Sequence, residues 1–188
     1  ALLRDPEVKG VVLLIEEPEL GYAAIQDLRQ QVAKLRAQKK KVFAFLASGA
    51  TRDYYLGAAA DKVYADPGGG LALEGMAITS MYYKTAFETL GVAAQFEKID
   101  EYKSAPETFT RSAASPEARA MRTWLLDSVY QRVVADLASD RGVAPEKMAT
   151  LFTGGPYTPV LALKAGLIDA VAEPREADLL IAREMGES

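Results

Sequence analysis

Residues 11–46 read VVLLIEEPELGYAAIQDLRQQVAKLRAQKKKVFAFL, and this stretch decides the fold class. Val11-Val12-Leu13-Leu14-Ile15 is a short continuous apolar run, which suits a strand buried on both faces of a parallel sheet. Ile25, Leu28, Val32 and Leu35 recur at helical spacing with Gln, Arg and Lys between them. Gln38-Lys39-Lys40-Lys41 ends that helix, its cations where the helix dipole favours them. Val42 to Leu46 is a second buried strand. Strand, helix and strand form one βαβ unit with an expected right-handed crossover.

The pattern continues along the chain. Tyr54 to Ala60 reads as a short helix, Lys62 to Ala65 as a strand, and Asp66-Pro67-Gly68-Gly69-Gly70 as a turn. Ser80 to Leu90 reads as a helix ended by Gly91, and Val92 to Ile99 as a strand. A polar loop spans Asp100 to Ala114. Ser115-Pro116-Glu117 starts a long helix, with Ser as N-cap and Pro in the first helical position, and Gly142 stops it after Arg141. Shorter helices are expected over Pro145–Phe152 and Thr158–Ala165. A turn and short strand follow over Gly166–Val171, then a last helix over Glu176–Met185. With no linker, repeat or low-complexity segment, residues 1–188 read as a single α/β domain of stacked βαβ units with a mostly parallel sheet.

Composition narrows the chemistry. The chain has 188 residues, no Cys and no His, which removes disulfides, the usual zinc ligands and any mechanism with a histidine base. A net charge of -4 gives no nucleic-acid footprint, and no apolar run reaches a membrane-spanning length. No metal or cofactor is expected. A chain that begins at Ala1 and runs almost at once into a core strand reads as part of something longer.

Several features invite a functional reading beside a plainer one. Lys103 lies in a polar loop after an expected strand, where a solvated lysine is ordinary. The carboxyl end of a strand is nevertheless where α/β folds place their sites. A desolvated lysine can act as a general base and, without histidine, is the leading candidate to activate a serine. Tyr102 and Phe109 could wall such a site. Gly68-Gly69-Gly70 lacks the residues of a phosphate loop and reads as a turn. Glu16-Glu17-Pro18-Glu19 could hold a divalent metal but reads as a solvated loop. Ser48 and Thr51 follow the second strand. Either could be a nucleophile on a strand-to-helix turn, though neither sits in a Gly-x-Ser-x-Gly elbow, and helix capping is the plainer role. Tyr54-Tyr55 and Tyr82-Tyr83 read as half-buried helix aromatics.

Four stretches, taken in order, resemble the signal peptide peptidase A (protease IV) family. They are GVVLLIEEPELG at residues 10–21; Tyr54-Tyr55-Leu56-Gly57 running on through Ala60-Asp61-Lys62 to Ala65; Tyr102-Lys103-Ser104-Ala105 with Glu107, Phe109, Arg111, Ser115-Pro116-Glu117 and Arg119; and Pro156-Tyr157-Thr158 with Ala162 and Gly166-Leu167-Ile168-Asp169. The resemblance implies a crotonase-like (ClpP-like) fold and a serine peptidase with a lysine general base, which cleaves hydrophobic peptides including released signal peptides. Short members of the family carry Ser and Lys in one domain. Long members carry two tandem copies, with Lys in the first and Ser in the second.

Where the short form has Ser-Gly-Gly before its Tyr-Tyr pair, this chain has Thr51-Arg52-Asp53. Where the short form has Pro-Gly-Gly after its first strand, the chain reads Pro18-Glu19-Leu20. The resemblance therefore implies the lysine-bearing copy of a long form. Lys103 is the general base, Ser104 a hydrogen-bond partner for it, and the serine comes from a C-terminal half. It also implies a homo-oligomer in the cell envelope, membrane-associated, with its catalytic domain outside the cytoplasm. Two other readings stand beside it: a non-catalytic oligomerisation scaffold, and a complete short-form peptidase using Ser48 or Thr51. A crotonase-like acyl-CoA enzyme, with Glu16 or Glu17 as its base, is a further alternative.

Overall fold

The computed structural model describes residues 2–16, 19–96 and 103–186. They fall into two compact units, one of residues 1–75 with 133–188 and the other of residues 76–132.

The first unit is built on four parallel strands in the order β1-β2-β4-β6: β1 (Gly10–Ile15), β2 (Lys41–Leu46), β4 (Lys62–Ala65) and β6 (Ala170–Val171). Helix α1 (Tyr22–Ala37) makes the crossover between β1 and β2, so the expected βαβ unit is present. It buries Ile25, Val32 and Leu35, while Leu28 of the expected apolar stripe is exposed. After β2 come β3 (Gly49–Ala50) and α2 (Thr51–Gly57), which begins three residues before the expected helix. Strand β3 pairs in parallel with β5 (Leu71–Ala72), and Leu71 bridges antiparallel to Tyr157. Two-residue strands carry no periodicity, and this small second sheet has no counterpart in the sequence reading.

One sheet face is closed by α8 (Pro174–Met185), whose Ala177, Leu180, Ile181 and Met185 pack on Phe43, Phe45 and Tyr64. Phe43 and Tyr64 stack with ring centroids 6.4 Å apart. Burying each such ring contributes on the order of 2 kcal/mol. Val12 and Leu14 pair in register with Phe43 and Phe45 and so share their face. Leu14 is nonetheless 72% exposed and Val12 is exposed as well. This corrects the reading of β1 as buried on both faces: β1 is the edge of the sheet, and a continuous apolar run does not reveal strand order.

Helices α6 (Pro145–Phe152) and α7 (Pro159–Ala165) complete this unit, with Thr158 Oγ1 accepting the Leu161 N–H as the cap of α7.

The second unit holds α3 (Lys84–Thr89), α4 (Glu107–Thr110) and the first part of α5 (Pro116–Arg141). Helix α5 has the expected bounds. Ser115 Oγ caps it by accepting the Ala118 N–H at 3.1 Å, and Gly142 stops it in the left-handed conformation at φ 62°. Helix α3 is shorter than the expected Ser80–Leu90. Residues 92–96 form no strand, which corrects that part of the reading, and 97–99 lie outside the described residues.

Candidate active site

In the first unit the chain leaves the carboxyl end of β2, passes Ser48 and β3, and turns into α2 at Thr51. A cleft of about 490 Å³ opens here, lined by Glu19, Ser48, Gly49, Arg52 and Asp53 among others. Neither hydroxyl caps α2, contrary to the plainer reading. The Ala50 N–H donates instead to Asp53 Oδ2 at 2.8 Å, on a side chain that is buried. Thr51 Oγ1 donates across to the Ala72 carbonyl at a long 3.4 Å, and Arg52 Nη1 donates to the Leu20 carbonyl at 3.0 Å. All three residues where the short form has Ser-Gly-Gly are thus engaged in local hydrogen bonds. Of the acidic cluster, Glu17 and Pro18 lie outside the described residues. Among the described residues no group of three or more Asp, Glu, His or Cys is arranged to hold a metal.

Behind this turn, Tyr54 and Tyr55 are fully buried rather than half-buried. Tyr54 Oη donates to the Leu167 carbonyl at 2.7 Å, and burial pushes its phenol well above the ordinary range. Tyr55 Oη donates to Asp136 Oδ2 at 2.6 Å, and the Arg29 guanidinium lies 4.2 Å over its ring. These contacts fix α2 against its surroundings from below, so the turn that precedes it is held rigidly.

Lys103 lies in the second unit, in irregular backbone before α4, and is exposed. Three polar residues that follow it are buried. Ser104 is 8%, Glu107 3% and Ser115 5% exposed. The Ser104 carbonyl accepts the Glu107 N–H at 3.0 Å. Both Glu107 carboxylate oxygens are taken by one residue: Oε1 accepts from Ser115 Oγ at 2.6 Å and Oε2 from the Ser115 N–H at 3.0 Å. Phe109 is stacked by Tyr83, Phe87 and Phe96, with centroids 5.8 to 6.2 Å away. The Tyr83 N–H donates to the Thr108 carbonyl at 2.7 Å. Tyr102, the other expected wall residue, lies outside the described residues.

In the second unit Lys103 is thus followed by the buried Ser104, Glu107 and Ser115 and by the stacked Phe109, while in the first unit Ser48 lines the cleft and Thr51 starts α2. The sequence reading put Glu107 and Ser115 in the same family-like stretch, with Ser115 also as a helix cap, but did not pair them. Their pairing spans eight residues, which no helical or strand period would flag.

The sequence pattern of peptidase family S49 matches residues 34–185. The chain belongs to that family.

Relatives from distant sources agree with the S49 assignment. The chain is 25% identical over 182 residues to the chloroplastic serine protease SPPA of Arabidopsis thaliana, covering 97% of the chain and 27% of that protein. It is 26% identical to protease 4 of Salmonella typhi, covering 97% of the chain and 31% of that protein. It is 25% identical to a putative signal peptide peptidase SppA of Enterococcus faecium, covering 92% and 50%. The chain thus spans about a quarter to a half of the length of these relatives. Among solved structures, a membrane-bound stomatin-specific protease, crystallised as a mutant with a substrate peptide, superposes with a TM-score of 0.52. The match has 18% identity and covers 90% of this chain and 64% of that one. It shows the fold, a crotonase-like α/β architecture with a mostly parallel sheet.

Proposed function

We propose that this chain is the lysine-bearing part of a Ser/Lys-dyad serine peptidase that degrades cleaved signal peptides and other hydrophobic peptides. The serine comes from another region of the same protein. Membership of family S49 and the protease names of its relatives support peptidase chemistry. The observation that carries the division of labour is the contrast between the two sites. The side chains of Thr51, Arg52 and Asp53 are hydrogen-bonded to the backbone of Ala72, Leu20 and Ala50, whereas Lys103 stands exposed beside the buried Ser104 and Glu107.

In this mechanism the serine-bearing region covers Lys103. Removing water from an ammonium favours its neutral form, and a neutral lysine can take a proton. Lys103 Nζ then removes the serine hydroxyl proton while the serine oxygen bonds to the peptide carbonyl carbon. Collapse of the tetrahedral intermediate breaks the C–N bond, and Lys103 returns the proton to the leaving amine. Water, deprotonated by the same lysine, hydrolyses the acyl-enzyme. Backbone N–H groups supplied with the serine hold the oxyanion. The apolar rings around Phe109 suit hydrophobic peptide segments.

The resemblance to signal peptide peptidases supports a homo-oligomer in the cell envelope, membrane-associated with the catalytic region outside the cytoplasm. Among the described residues no helix is long and apolar enough to cross a membrane. One observation favours a second reading, that of a complete short-form enzyme: Ser48 lines the cleft beyond β2.

The test is peptidase activity and fluorophosphonate labelling of the full-length protein and its Lys103→Ala variant, beside the isolated chain. Loss of turnover in the variant, with no labelling of the isolated chain, is the expected result. A fully active Lys103→Ala enzyme, or labelling at Ser48 or Thr51, would overturn the proposal.

A further inference from the structure

Four polar side chains are buried among the described residues, and three of them, Ser104, Glu107 and Ser115, stand just after Lys103. Burying a carboxylate is costly, and a well-packed apolar pair would hold two segments together at least as firmly. What a charge-assisted, two-point hydrogen bond adds is direction, because both partners are fixed in distance and angle.

The hydrogen bonds run in one unbroken order. At the start of α5 the Ala118 N–H donates to Ser115 Oγ at 3.1 Å. That hydroxyl passes its own hydrogen to Glu107 Oε1 at 2.6 Å, while the Ser115 N–H holds Oε2 at 3.0 Å. The Glu107 N–H in turn holds the Ser104 carbonyl at 3.0 Å, on the residue that follows Lys103. The backbone next to the lysine is therefore tied through a carboxylate to the first turn of a 26-residue helix.

We propose that the Glu107–Ser115 clasp is a positioning device that sets the direction in which Lys103 presents its amine to the serine. The inference rests on Lys103 being the general base. Proton transfer needs hydrogen-bond distance between base and hydroxyl, and small displacements there are expensive in rate. A swing of the Ser104 carbonyl would move the lysine without unfolding anything.

The experiment compares Glu107→Gln, Ser115→Ala and Ser115→Thr in the full-length protein, with Lys103→Ala alongside. Assays are run well below each variant's melting temperature. Glu107→Gln keeps the shape but puts an amide N–H₂ against one of the two Ser115 donors, and Ser115→Ala removes the hydroxyl. Each should lower kcat by roughly ten- to a hundredfold with little change in KM, the scale expected for a displaced catalytic group. Fluorophosphonate labelling of the serine should slow in parallel. Ser115→Thr retains the hydroxyl and should recover most of the loss, which keeps the test valid if Glu107→Gln fails to fold.

Melting temperatures that fall while kcat and labelling hold would make the clasp purely structural and overturn the proposal. An inactive Lys103→Ala beside fully active clasp variants would remove the positioning role and leave the base assignment standing. An active Lys103→Ala would remove both.

Discussion

Asp61 and Asp169 grip neighbouring strands in the same way. The Asp61 N–H donates to the Val42 carbonyl at 2.7 Å, and its Oδ2 accepts the Val42 N–H at 2.8 Å. The Asp169 N–H donates to the Val63 carbonyl at 2.7 Å, and its Oδ2 accepts the Val63 N–H at 2.8 Å. Each aspartate closes the amino end of one strand, β2 or β4, with a donor and an acceptor from a single residue. An arginine stands behind each: Arg36 at 2.8 Å from Asp61, and Arg141 at 3.0 Å from Asp169. In two of the four stretches that resemble the peptidase family, the aspartate thus serves sheet construction.

Asp61→Ala and Asp169→Ala each leave a strand N–H without its acceptor and an arginine without its carboxylate. Each should lower unfolding stability by about 2 kcal/mol, the scale of a lost charge-assisted hydrogen bond. Urea midpoints measure this. Peptidase turnover per folded molecule of full-length protein should not change; a selective loss of kcat would give these residues a role at the site.

The acid side of the stability curve should carry two opposite contributions. Burial alone would raise the Asp169 carboxyl, but the hydrogen bonds from Arg141 and the Val63 N–H outweigh it and hold the group below its ordinary 3.8. Its stabilisation is present above 3.8 and is lost as pH falls through the folded value. Burial pushes the Asp140 carboxyl above 3.8, only partly offset by Arg29. The folded state then holds that proton more tightly, so Asp140 favours folding as pH falls and weakens it as pH rises through its folded value. Urea titrations across the acid range should show Asp169→Asn flattening the acid loss and Asp140→Asn steepening it.

The three glycines after β4 are not equivalent. A Cβ on Gly69 would fall 2.0 Å from the Ala47 carbonyl oxygen, whereas a Cβ on Gly70 would lie 3.8 Å from the Tyr157 carbonyl oxygen, an ordinary contact. Gly69→Ala should therefore cost about 3 kcal/mol, as overpacking against backbone does. Gly70→Ala should stay within about 0.5 kcal/mol. Equal urea midpoints for the two variants would refute this.

Ser48→Ala and Thr51→Ala, made in the full-length protein, should each leave peptidase kcat/KM within about twofold. Ten-fold loss in either would restore the short-form reading of the first unit.

What the sequence made legible, it made legible through local signals. Val42–Leu46 is buried along its length, and the Ser115-Pro116 start and Gly142 stop of α5 sit where capping chemistry puts them. Leu14 was misread because an apolar run reports hydrophobicity and not whether a strand lies at a sheet edge. Tyr54 and Tyr55 read as half-exposed because their hydroxyl partners, Leu167 and Asp136, lie far along the chain. The proposal of Lys103 as a base rests on family resemblance alone. The Glu107–Ser115 clasp was not legible, because two polar residues eight apart in a loop carry no period, and only folding shows that both are buried.

The hydrogen bond from the Ala50 N–H to Asp53 has an evolutionary consequence. Position 51 is the first residue of α2, and a serine placed there would inherit a turn whose amide is already committed and whose next residue, Arg52, is tethered to Leu20. Regaining the hydroxyl alone would not restore an open glycine backbone, so positions 52 and 53 would have to change together with position 51.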